Sequence, residues 1–219
     1  ELNLLRRTAL RTDFLMFNCG KPPFNDVRVR RAVVKALDIE GMQKAVYRGL
    51  GYVPGGPLPK DMRYSNPELR PSQQNVEEAK RLLEEAGVKN LKIMLSTSEA
   101  KERIDAATIV QNQLAEVGID ASIQVLEYGV FLDTLDRGEH QVAFSGWGNN
   151  LPDPEFALSR LYHTRAMGST NNAFYSNSVF DALLDKGTLI PDGPERAAVY
   201  KEVQDIFVEE VPAVYWTVQ

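Results

Sequence analysis

The sequence predicts an α/β fold built around parallel strand pairing, and three observations carry that reading. Leu91, Ile93 and Leu95 alternate as a strand. Ile104, Ala107, Val110, Leu114 and Val117 then recur at steps of three and four residues until Gly118 ends the helix. Ile123 and Val125 mark the next strand, followed by a short helix at Phe131–Leu135 and a third strand at Val142 and Phe144. Parallel neighbours need a crossover, and a helix between strands supplies it.

The remaining elements follow in chain order. Phe14, Met16 and Asn18 alternate in a strand near Asp13–Asn18, ended by Gly20 and the Pro22–Pro23 pair. Asn25 or Asp26 can cap a helix reaching Leu37, with Val29, Val33, Ala36 and Leu37 on its buried side. Its other side carries Arg28, Arg31 and Lys35, read as a solvated face. A second helix covers Ile39–Arg48. From Gly49 to Pro71, glycine and proline recur too often for regular structure, so this long excursion is expected to be functional or packed over another surface. Its Gly55-Gly56-Pro57-Leu58-Pro59-Lys60 run is no phosphate loop, because it lacks the Gly-Lys-Ser/Thr ending and its prolines remove amide donors. Asn75 caps a helix with the stripe Ala79, Leu82, Leu83 and Ala86, stopped by Gly87. After the third strand come a loop at Gly146–Pro154, a helix near Glu155–Leu161 and a polar stretch at His163–Asn177. Helices near Val179–Lys186 and from Pro194 to Glu210 precede a last strand at Val211–Val218.

Composition narrows the function. The chain has 219 residues, 43% hydrophobic and 25% charged, which suits a globular unit able to bury a sizeable core. A formal net charge of -5 argues against nucleic acid, which calls for a basic face. No apolar run approaches the roughly 20 residues that span a bilayer. Glu1 rather than Met begins the sequence, so the lack of a secretory leader carries no meaning. The single Cys19 excludes an intrachain disulfide, and His140 and His163 lie far apart without a cysteine partner pattern, so no metal site or cofactor is expected.

Catalytic arrangements are sparse. Asp153 and Glu155 could serve as the paired carboxylates of a glycoside hydrolase, but an Asp-Pro entering a helix is more often a cap. Ser145 lacks the first glycine of a nucleophile elbow, and His140 or His163 could serve it only through tertiary contact. The segment after the third strand has a different character. It lies at a strand's carboxyl end, where open α/β sheets place ligands. It combines the aromatic plane of Trp147, Gly146 and Gly148 that let a ligand approach backbone, and the amides of Asn149 and Asn150. That mixture suits a pocket for a polar small molecule; on composition alone, a buried tryptophan beside a turn is the commoner arrangement.

Several motifs in order resemble one family. They are Asn18, Lys21, Pro23, Phe24, Asp26-Val27-Arg28-Val29-Arg30 and Ala32, then Ala36-Leu37-Asp38, then Gly49, Gly51 and Gly56-Pro57-Leu58-Pro59. Ala79-Lys80, Leu82-Leu83 and Ala86-Gly87 follow, with Gln113-Leu114 and Val117-Gly118-Ile119, and finally Gly138-Glu139-His140-Gln141 leading to Gly146-Trp147. Over essentially the whole chain this resembles the peptide/nickel class of ABC-transporter solute-binding proteins, especially dipeptide- and oligopeptide-binding proteins.

The resemblance implies one lobe of a type II periplasmic-binding-protein-like fold, a mixed sheet flanked by helices, with residues 1–219 forming the second lobe of a two-lobed protein. It implies an extracytoplasmic monomer that is not an enzyme, with a peptide-like or other polar small molecule as ligand and ABC permease subunits as partners. The same lobe also occurs fused to DNA-binding modules, where ligand would modulate transcription. Trp147 matches a family aromatic that lines the cleft, and Tyr128 matches another, with a core or rim role as its alternative. Gly148, Asn149 and Asn150 complete the implied ligand contacts. Asn150 stands where peptide binders carry the Asp that holds the ligand's α-amino group, and a neutral amide offers no charge to pair with it. That departure leaves room for glycan, opine-like or modified ligands. Some dipeptide binders place an arginine on the helix before Val117-Gly118; Arg103 is near but does not align with it.

Overall fold

A computed structural model describes residues 10–219. One five-stranded sheet organises them, built from β1 (Arg11–Phe17), β2 (Lys92–Ser98), β3 (Asp120–Leu126), β4 (Val142–Gly148) and β5 (Ala213–Val218) in the order β3-β2-β4-β1-β5. The expected parallel unit is present: β2 pairs in parallel with both β3 and β4. The mixed character comes from β1, which runs antiparallel to β4 on one side and β5 on the other.

Helices cover both faces. On one lie α1 (Val27–Ala36), α2 (Ile39–Tyr47), α3 (Val76–Glu85) and α4 (Lys101–Glu116). On the other lie α5 (Tyr128–Asp136), α6 (Pro154–Tyr162), α7 (Ser178–Leu189) and α8 (Pro194–Glu210). Strand β1 shows why its sequence reads as an apolar run. Leu15 and Phe17 enter the core under α1 to α4, whereas Phe14 and Met16 enter the opposite core. A strand buried on both faces has no solvent side to carry polar residues.

The helix starts follow from local chemistry. Asp26, Asp38, Asn75, Asp153 and Asn177 each accept a hydrogen bond from a backbone N–H in the first turn of the following helix. The excursion from Gly49 to Pro71 is irregular and packed down, as expected: Tyr52 exchanges backbone hydrogen bonds with Val218, and Leu58 and Met62 are buried in the second core.

One expectation needs correction. Gly146, Trp147 and Gly148 are not loop residues but the last residues of β4, paired with Asp13, Thr12 and Arg11. Glycine lowers strand propensity, but a partner strand already in place supplies the ladder and overrides it. The connecting loop therefore begins only at Asn149.

Candidate ligand cleft

A cleft of about 800 Å³ opens at the carboxyl ends of β2 and β4. The amino end of β1 and the residue after β5 reach the same place, so Arg11, Asp13 and Gln219 line it. Ser98 from β2 and Gly146 and Trp147 from β4 join them, with the start of α4 on one wall and α5 on the other.

Trp147 is half-buried in this cleft, its ring 5.8 Å from that of Phe156, and its indole N–H is buried without an acceptor among the described residues. Tyr128 opens α5 and is 56% exposed; exposed Leu132 stands on the same cleft wall. Large exposed apolar side chains lining a hollow are the surface a ligand or partner covers.

Gly148, Asn149 and Asn150 follow Trp147 in the chain and do not line the cleft. Gly148 and Asn150 are exposed. Asn149 is buried, and both its backbone N–H and its Nδ2 donate to the Leu10 carbonyl at 2.9 Å. That amide ties the end of β4 to the chain entering β1.

The floor of the cleft holds a network that the sequence reading left out. Asp13 is only 2% exposed and Arg103 only 8%. Arg103 Nη2 donates to Asp13 Oδ1 at 3.1 Å, while Asp13 Oδ2 accepts from Tyr47 Oη at 3.0 Å and from Gln219 Nε2 at 2.8 Å. Burial, and then the Asp13 carboxylate beside it, raises the Tyr47 hydroxyl well above the usual tyrosine range, so it stays a donor at neutral pH. Gly146 makes room for the pair: a Cβ there would overlap Asp13 Oδ1 and stand 2.7 Å from Arg103 Nη2.

Two weak sequence signals pointed here. Asp13 is an acid at the head of an apolar strand. Arg103 falls at the same helical spacing as Ala107, Val110 and Leu114, on the buried face of α4.

The catalytic alternatives find no assembled geometry. Asp153 accepts from the Glu155 N–H as the α6 cap and pairs with Arg196 at 2.8 Å. No hydrogen bond joins Ser145 to either histidine, and His163 faces Asp181 and Asp185 instead. Among the described residues no group of three or more His, Cys, Asp or Glu is placed to hold a metal ion, and no helix is long and apolar enough to cross a membrane.

A second hollow of about 760 Å³ lies across the molecule between α1, α3 and β5. The basic stripe of α1 borders it, but Arg28 is engaged with Asp26 and the Glu85 carbonyl, and Arg31 with the Glu209 carbonyl.

Known proteins share this fold. The family model for bacterial extracellular solute-binding proteins, family 5 middle, matches residues 1–169. Heme-binding protein A of Haemophilus influenzae is 30% identical over 97% of this chain and 40% of its own length. The dipeptide-binding protein of Escherichia coli is 29% identical over 98% of this chain and 41% of its own. The ABC transporter-associated periplasmic binding protein DppA of Helicobacter pylori, solved in complex with the peptide STSA, is 31% identical with a TM-score of 0.91, covering 95% of this chain and 41% of that one. The chain thus spans about 40% of the length of the curated relatives it matches. With its sheet, its helices and its ordered motifs all accounted for, the chain belongs to the bacterial extracellular solute-binding proteins of family 5.

Proposed function

We propose that this chain is the second lobe of the substrate-binding component of an ABC importer, acting outside the cytoplasm. In the intact protein it closes with a partner lobe over a peptide or similar polar solute and delivers the solute to a membrane permease, working as a monomer. The observation that carries this reading is the cleft itself. It sits at the sheet end where β1 begins and β5 finishes, and it is lined by half-buried Trp147 and by exposed Tyr128 and Leu132. Relatives of the same fold include peptide-binding proteins, among them two solved in complex with the peptide STSA and with Met-Leu.

In this reading Trp147 and Tyr128 form the apolar wall, and Gly148 at the end of β4 with Asn149 and Asn150 in the loop after it frames its edge. Closure works by population shift: a solute favours the closed form only through contacts absent from the open one. Trp147→Ala in the intact protein is expected to weaken binding of a free dipeptide such as Met-Leu by about ten-fold or more, the loss of one good aromatic contact. Isothermal calorimetry checks it, and unchanged affinity removes Trp147 from the site.

A further inference from the structure

We propose that Asp13 is a specificity-determining residue of the cleft: it cancels the charge of Arg103, so that this lobe offers guanidinium N–H donors to a neutral oxygen rather than to a free carboxylate. The inference rests on the cleft being the solute site. Arg103 is more than nine-tenths buried and carries five N–H donors. Among the described residues its guanidinium makes one hydrogen bond, to Asp13 Oδ1. Arg103 lines the cleft, and its remaining guanidinium N–H groups have no partner among the described residues.

Electrostatics decides which acceptor those free donors can take. Asp13 and Arg103 form a buried pair of no net charge, and Tyr47 and Gln219 hold the carboxylate from its other side. A carboxylate approaching Arg103 therefore meets Asp13 directly behind it, with Glu99 and Glu102 on the same cleft wall. Among the described residues Arg11 is the other cation lining the cleft; it lies 3.9 Å from Asp13 Oδ1 and is half exposed. In a poorly hydrated site like charges repel strongly. An amide carbonyl or a hydroxyl takes the same N–H groups without that opposition. The solute class is thus one that presents neutral oxygens to this lobe, such as the carbonyls of a peptide's interior or the hydroxyls of a glycan.

The test uses acetate as a bare carboxylate and acetamide as its neutral counterpart, titrated into the intact protein. The Nε–H resonance of Arg103 is followed by NMR and assigned with Arg103→Lys. In the wild-type protein acetate is expected to give no saturable shift up to about 100 mM, a range that excludes all but the weakest affinities. Asp13→Asn keeps the side chain's shape and removes its charge, and acetate is then expected to bind at least about ten-fold more tightly than acetamide. Saturable acetate binding to the wild-type protein overturns the proposal, and this arm stands even if Asp13→Asn does not fold. Failure of acetate to bind a folded Asp13→Asn protein overturns it as well. Loss of all solute binding would instead sink the importer reading, which the Trp147→Ala calorimetry addresses separately.

Discussion

Asp13→Ala is expected to cost the fold about 3–5 kcal/mol, the penalty of leaving a buried charge without its partner. Arg103 would remain over nine-tenths buried with no counter-charge at its Nη2. Tyr47 Oη and Gln219 Nε2 would lose the acceptor they share. The loss reaches beyond one pair because Asp13 joins β1 to α2, to α4 and to the residue following β5. Asp13→Asn retains an oxygen acceptor and should lose less. Urea unfolding of the intact protein at neutral pH measures both, and an alanine variant within about 1 kcal/mol of wild type would mean the floor is hydrated and the pair dispensable.

Acidification is expected to destabilise the protein through His140. This side chain is buried near the start of β4, and burial, reinforced by the ammonium of Lys21, pushes its pKa down to about 4. An unfolded histidine titrates near 6.5. Because the folded value is the lower one, the unfolded chain takes up the proton first. Stability from the neutral ring is therefore intact above about pH 6.5, falls as the pH drops, and stops falling below about pH 4. At 1.36 kcal/mol per pKa unit the loss by pH 4.5 is about 2–3 kcal/mol. Unfolding free energies at pH 7 and pH 4.5 should differ by that amount more in the wild type than in His140→Gln. Equal slopes for the two proteins would mean His140 accepts its proton without penalty.

How much of this was legible in the sequence depended on distance along the chain. The β2–α4–β3 unit was plain, because its pattern repeats within a few residues and Gly118 punctuates it. So were the cap at Asn75 and the reading of Asp153 as a cap, while the first helix's cap, open between Asn25 and Asp26 in the sequence, falls to Asp26. The far end of β4 was not, because its Gly-Trp-Gly composition resembles a loop and its strand character comes from pairing with Arg11–Asp13, more than a hundred residues earlier.

The site divides along the same line. Trp147 and Tyr128 could be named from local motifs, and both line the cleft. Asn149 has the chemistry of a ligand contact, but only the fold shows its Nδ2 spent on the Leu10 carbonyl. The Asp13–Arg103 pair joins residues separated by 90 positions, and nothing local announces a partner at that range.

The proposed function turns on solute binding in the cleft at the ends of β2 and β4. A crystal structure of the intact protein with its co-purified solute, identified beforehand by mass spectrometry, tests this most directly. The solute is expected stacked against Trp147, with a neutral oxygen within hydrogen-bond distance of Arg103. A solute seated instead in the hollow between α1, α3 and β5, away from both residues, would contradict it.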